Sequence, residues 1–113
     1  MSGVLAQYVG LPVPPGFRWS AAEWEALKRA TRSPDMDQRW TTEFLDHFLV
    51  LRRSGRRIFQ ARIEELGDGS RRLVDLGCEG DMATFSRSAF SDSETTGMFI
   101  GAAQGLIERY RNA

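Results

Sequence analysis

Lysine, histidine and cysteine each occur once in the 113 residues, as Lys28, His47 and Cys78. A single cysteine excludes an intrachain disulfide and argues for a reducing compartment, so a cytoplasmic protein is expected. One histidine and one cysteine without paired spacing do not compose a zinc site. Asp35, Asp37, Glu79 and Asp81 could offer carboxylates to a hard cation, but loop acids of this kind are ordinarily solvated. Neither a GxxxxGK run followed by Ser or Thr nor a GxGxxG after a strand is present, so no cofactor is expected. The only nucleophilic pairing available is Cys78 with His47. The plainer reading makes Cys78 a small buried strand residue, and no catalytic residue is assigned. No apolar run approaches the roughly 20 residues of a membrane-spanning helix. The opening MSGVLAQYVGLPVPPG lacks a basic region followed by an apolar stretch, so no signal peptide and no membrane partner are expected.

What is present alternates in a readable way. Pro12, Pro14, Pro15 and Gly16 oppose helix and make residues 1–16 an extended N-terminal arm. Ser20 and Glu23 have capping-box spacing, and Trp19 and Trp24 occupy the positions of a hydrophobic staple. Trp24, Leu27 and Ala30 recur at helical spacing, which predicts a helix from Ala21 to Thr31, stopping before Ser33-Pro34. Trp40, Thr42 and Phe44 alternate with polar residues as in a half-buried strand. After Asp46-His47, a plausible tight connection, Phe48 to Leu51 is apolar on both faces, the mark of an interior strand. Ser54-Gly55 breaks that run. A third strand places Phe59, Ala61 and Ile63 on one face and Ile58, Gln60, Arg62 and Glu64 on the other. Gly67 to Ser70 is a hairpin signal. A fourth strand, Leu73 to Cys78, puts Val74, Leu76 and Cys78 on one face. Glu79 to Ser91 reads as loop, with a helical turn near Phe85. A last helix starts between Ser91 and Ser93 and reaches Tyr110, with Phe99, Ala103, Leu106, Ile107 and Tyr110 on one stripe. The expected fold is therefore α+β: a four-stranded antiparallel meander sheet flanked by an N-terminal and a C-terminal helix, with residues 17–113 as a single domain.

Gly97, Gly101 and Gly105 form a second line on the last helix. Each costs a helix about 1 kcal/mol relative to alanine. Such a line implies close backbone approach, either to the sheet of the same chain or to a second copy of the helix.

Arginine outnumbers lysine fourteen to one in a chain whose net charge is zero. The plain explanation is codon bias; the sharper one is a need for guanidinium forks that hold carboxylate or phosphate. From Arg52 to Arg72 seven arginines stand against three acids, a local excess of four. Arg53 and Ser54 precede a glycine turn at a strand end, where a guanidinium and a hydroxyl can present several donors to an anion. The candidate ligand-binding set is Arg53, Ser54, Arg56 and Arg57, with Arg52, Arg71 and Arg72 in the wider basic edge. The alternative is that Arg53 pairs with Asp46 or Asp37 and fixes the hairpin. Zero net charge argues against nucleic acid as a partner, because phosphate contact dominates that affinity.

Residues Asp35 to Ile63 resemble a family of small bacterial proteins with no established activity. The shared pattern is D-x-x-W, a strand, an acidic turn, a strand ending Arg-Ser, and a strand opening with Ile and an aromatic. Asp37, Trp40, Asp46, Arg53, Ser54, Ile58 and Phe59 fill those positions. Family members carry Trp-Thr-Gly after the Arg-Ser, where this chain has the shorter Gly55-Arg56. The resemblance speaks to fold rather than function. The functional expectation is a non-catalytic binding or accessory module that self-associates, with a homodimer or another protein as partner. Recognition of an anion, phospho-group or nucleic acid by the arginine-rich edge is the alternative, and an enzyme using His47 and Cys78 the third reading.

Overall fold

Two capping boxes start the two helices. Ser20 Oγ accepts from the Glu23 amide at 3.1 Å and Glu23 Oε1 accepts from the Ser20 amide at 2.8 Å, opening helix α1 over Ala21–Lys28. Ser91 and Glu94 repeat the arrangement and open helix α2 over Asp92–Tyr110. The staple also forms, with the Trp19 and Trp24 rings 5.9 Å apart. Helix α1 ends earlier than its apolar spacing predicts. The Leu27 carbonyl accepts the Thr42 hydroxyl at 2.7 Å and the Ala30 carbonyl, just past the helix, accepts the Thr42 amide at 3.0 Å, which ties this end of α1 to the sheet.

The structure, a computed structural model, describes residues 4–86 and 89–111; residues 1–3 of the expected arm lie outside the described part. Its strands are β1 (Tyr8–Leu11), β2 (Arg18–Trp19), β3 (Trp40–Leu45), β4 (Phe48–Arg53), β5 (Arg56–Glu65) and β6 (Arg71–Glu79). They form one antiparallel sheet in the order β1-β6-β5-β4-β3, with β2 also on β6. The class is α+β, but the sheet has six strands rather than four. The two added strands come from the segment around the prolines. Residues 8–11 of the expected arm pair with Leu76–Glu79, and Arg18–Trp19 pair with Arg71–Arg72. Prolines that cannot donate to a ladder sit between these short edge strands, where none is required.

One face of the sheet carries both helices. Leu49, Leu51, Phe59, Ala61, Leu76 and Cys78 meet Trp24, Leu27, Phe99, Ala103 and Ile107 there in a single core. Two bulges correct the expected faces. The register between β4 and β5 shifts at Leu51/Arg52, leaving Ile58 without a partner, and Ile58 joins the core beside Phe59. The register between β5 and β6 shifts at Arg62/Ile63, so Leu73 rather than Val74 takes the core position. An extra residue flips the alternation downstream of it.

The other face is covered at its centre by residues 4–7. Val50 and Leu5 are buried there, and the Gln60 side-chain Oε1 accepts the Val4 amide at 3.3 Å. Glu79, itself buried, accepts the amides of Ala6, Gln7 and Asp81 at 2.8, 2.9 and 3.0 Å. No helix is long and apolar enough to cross a membrane among the described residues.

Candidate functional site

The β4–β5 connection is the tightest the chain could use. Ser54 and Gly55 have φ of 53° and 83°, and Arg53 pairs directly with Arg56. Positive φ at both central residues matches the right-handed twist of the strands they join. Ser54 accepts this geometry without being glycine; its amide donates to the Arg39 carbonyl at 3.2 Å, tying the segment before β3 to the turn. The two-residue turn at Asp46-His47 sets the β3–β4 register and thereby places Trp40 opposite Arg53. The Arg53 guanidinium lies over the Trp40 ring, 5.8 Å from its centroid, within cation–π range.

Two consecutive Arg–Arg pairs sit across this hairpin: Arg53 with Arg56 and, on the opposite face, Arg52 with Arg57. Like charges directly opposite one another are destabilising in a sheet. The second pair is relieved within the chain. Arg57 holds Glu43 in a bidentate fork, Nε to Oε1 at 2.9 Å and Nη2 to Oε2 at 2.7 Å, and these bonds push its guanidinium pKa up. Arg52 Nη2 donates to the Gly55 carbonyl at 2.9 Å, while its buried Nε makes no hydrogen bond among the described residues. The Arg53–Arg56 pair has no such relief, since neither guanidinium meets a carboxylate among the described residues.

Three other arginines of the sheet are neutralised. Arg62 pairs with Asp75 at 2.8 Å, Arg72 with Glu64 at 2.7 Å and Arg71 with Glu65 at 3.5 Å. Thus, of the wider basic edge, Arg71 and Arg72 drop out and Arg57 is occupied. The proposed partners of Arg53 are not used. Asp46 sits in the turn before β4, beyond Phe48, which is itself five residues from Arg53 and on the order of 17 Å away along the strand. Asp37 makes no ion pair with it among the described residues. Arg39, whose carbonyl takes the Ser54 amide, also meets no carboxylate there. The corner therefore gathers Arg39, Arg53 and Arg56 around Ser54.

Two grooves flank the turn. One, of about 490 Å³, runs between Arg39, Gln38 and Asp35 on one side and Arg53, Ser54 and Gly55 on the other. The other, of about 680 Å³, is lined by Arg53, Ser54 and Arg56 together with Thr84, Phe85, Ser86, Phe90 and Met98. Arg39 and Trp40 line the same corner although neither was among the candidate binding residues. A signal existed: counting back from the Asp46-His47 turn puts Trp40 against Arg53. For Phe85, Phe90 and Met98 there was none, because a loop and a distant helix supply them.

The remaining candidates separate. The Ile63 amide donates to the His47 carbonyl at 2.8 Å, and Ile63 pairs with Leu73 on β6. Cys78 lies five residues further along β6, roughly 16 Å away, so His47 and Cys78 are not brought together. Asp35 is held by Arg109 at 2.7 Å and by two amides of its own loop, and Asp81 caps Ala83 and Thr84. No cluster of three or more metal-ligating side chains occurs among the described residues. Added Cβ atoms at Gly97, Gly101 and Gly105 would meet nothing within 4 Å, so the glycine line faces outward rather than against the sheet.

The protein is a two-layer α+β fold, and at this corner Arg39, Arg53 and Arg56 meet no carboxylate among the described residues. No family model, curated protein or solved structure matches the chain.

Proposed function

We propose that the protein is a binding module that recognises an anionic group, a phosphate above all, at the β4–β5 turn. The observation that carries this reading is the Arg53–Arg56 cross-strand pair. The two are cross-strand partners and neither meets a carboxylate among the described residues, whereas in the neighbouring Arg52–Arg57 pair Arg57 holds Glu43. A ligand carrying two negative charges relieves both at once, which a single carboxylate does not. Arg39 adds a third fork, and the Ser54 hydroxyl a neutral donor. Trp40 keeps Arg53 against the sheet surface, so less side-chain freedom is lost on binding. An NMR titration with inorganic phosphate tests the reading. Shifts are expected at Trp40 and Arg53 to Arg56, weakening as salt is raised and absent from an Arg53→Ala/Arg56→Ala variant. Shifts that instead follow the paired arginines Arg62 and Arg72, or no shifts at low salt, would refute it.

A second reading is self-association through α2. Gly97, Gly101 and Gly105 are exposed, and Gly101 stands at the midpoint of Asp92–Tyr110. A twofold antiparallel contact would set Gly97 against Gly105 of a second copy. Light scattering on a size-exclusion column decides it: a dimer is expected, and a monomer at the highest soluble concentration ends the idea.

A further inference from the structure

The groove on the Phe85 side of the turn is not uniformly polar, and its asymmetry says more about the ligand than the arginines do alone. Resting on the phosphate reading above, we infer that the ligand is a phosphate monoester with an aromatic body, its phosphate on Arg53 and Arg56 and its ring against Phe85, Phe90 and Met98. The geometry follows from the bulge in β5. Because Ile58 is the unpartnered residue, it turns to the helix-bearing face and floors the groove immediately beyond the arginine pair. Phe85 is fixed by an edge-on contact with the buried Phe59, ring centroids 5.6 Å apart, so this wall is anchored to the core. Its loop is set by Asp81, whose carbonyl accepts the Thr84 and Phe85 amides at 3.0 and 2.9 Å. Phe90 lines the same groove and is 44% exposed.

A groove lined by Arg53 and Arg56 together with Ile58, Phe85, Phe90 and Met98 complements a molecule whose anion and ring are adjacent. An inorganic anion would leave the apolar end wet, and a purely apolar ligand would leave the arginine pair unrelieved. The groove volume of about 680 Å³ falls within the range of small-molecule sites, roughly 300–1,000 Å³.

The test compares phenyl phosphate with inorganic phosphate on the full chain, following the Trp40 indole resonance. Phenyl phosphate is expected to bind about tenfold more tightly or better. Phe90→Ala should remove that advantage and leave inorganic phosphate binding unchanged; the exposure of Phe90 makes loss of the fold an unexpected outcome, and circular dichroism checks it. Equal affinity for the two ligands overturns the inference and leaves phosphate recognition standing. So does an aryl preference that survives both Phe90→Ala and Met98→Ala. If neither ligand binds, the phosphate reading itself fails and this inference falls with it.

Discussion

Gly77 has no side chain because the Tyr8 ring occupies the place of one. A Cβ there would lie 2.1 Å from Tyr8 Cε2 and 2.3 Å from Cζ. Gly77→Ala is expected to cost about 1–3 kcal/mol by overpacking; Tyr8→Ala in the same chain should return most of it. Chemical denaturation of the two variants measures this, and an unperturbed single variant would contradict the close approach. Nothing in the run Asp75 to Cys78 announces that contact, since Tyr8 is separated from Gly77 by most of the chain. The arginines teach the same lesson. Arg52, Arg53, Arg56, Arg57, Arg62, Arg71 and Arg72 are alike in sequence, yet the last four each meet a carboxylate and the first three meet none within the described residues. Which residue is free depends on which acid the register sets diagonally across, as Glu43 is set to Arg57.

Among the elements, the helices were the more legible. Ser20 with Glu23 and the polar run at Ser91 signal starts that the structure keeps, because a cap is a local contact over three residues. Strand faces were less legible: a single bulge exchanged Val74 for Leu73 and brought Ile58 to the core. Helix α2 offers a decisive test of its exposed face. With open space at the added Cβ, Gly101→Ala should stabilise a solvated helix by about 0.5–1 kcal/mol. If a second copy packs against that line, the same change weakens association instead, and light scattering together with thermal unfolding separates the two results. The β3 edge is already partly closed, with Thr42 donating to Ala30 and the Trp40 carbonyl accepting Gln38 Nε2 at 3.0 Å, which disfavours extension of the sheet from that end.

For the whole molecule, acid sensitivity follows from three carboxylates on different elements. Arg109 holds the Asp35 carboxyl below its ordinary value, aided by the Gln38 and Asp37 amides. The Ser70 hydroxyl and amide do the same for Asp68, and the Ser91 amide and then its hydroxyl for Glu94. Each folded-state pKa lies below its unfolded one, so the stabilisation is complete above the unfolded values, near pH 4, and is lost as pH falls through the lowered folded values. Thermal midpoints should hold from neutrality down to about pH 5 and decline below about pH 4. Asp35→Asn, which unties the segment before β3 from α2, should make that decline shallower. An identical midpoint at pH 3 and pH 6 would show that these contacts do not act.

The amino-acid pattern by itself determined the α+β class, both helix starts, the four-strand order from β3 to β6 and the two short turns that set the β3–β4–β5 register. These are products of local contacts and of periodicity, which a single stretch of chain carries. Only the tertiary structure decided that the proline-bearing segment contributes strands to the sheet edge, that the glycine line faces outward, and that Arg53 and Arg56 meet no carboxylate among the described residues. Each of those depends on partners dozens of residues away, whose arrival is governed by the packing of the whole core rather than by any residue near the site.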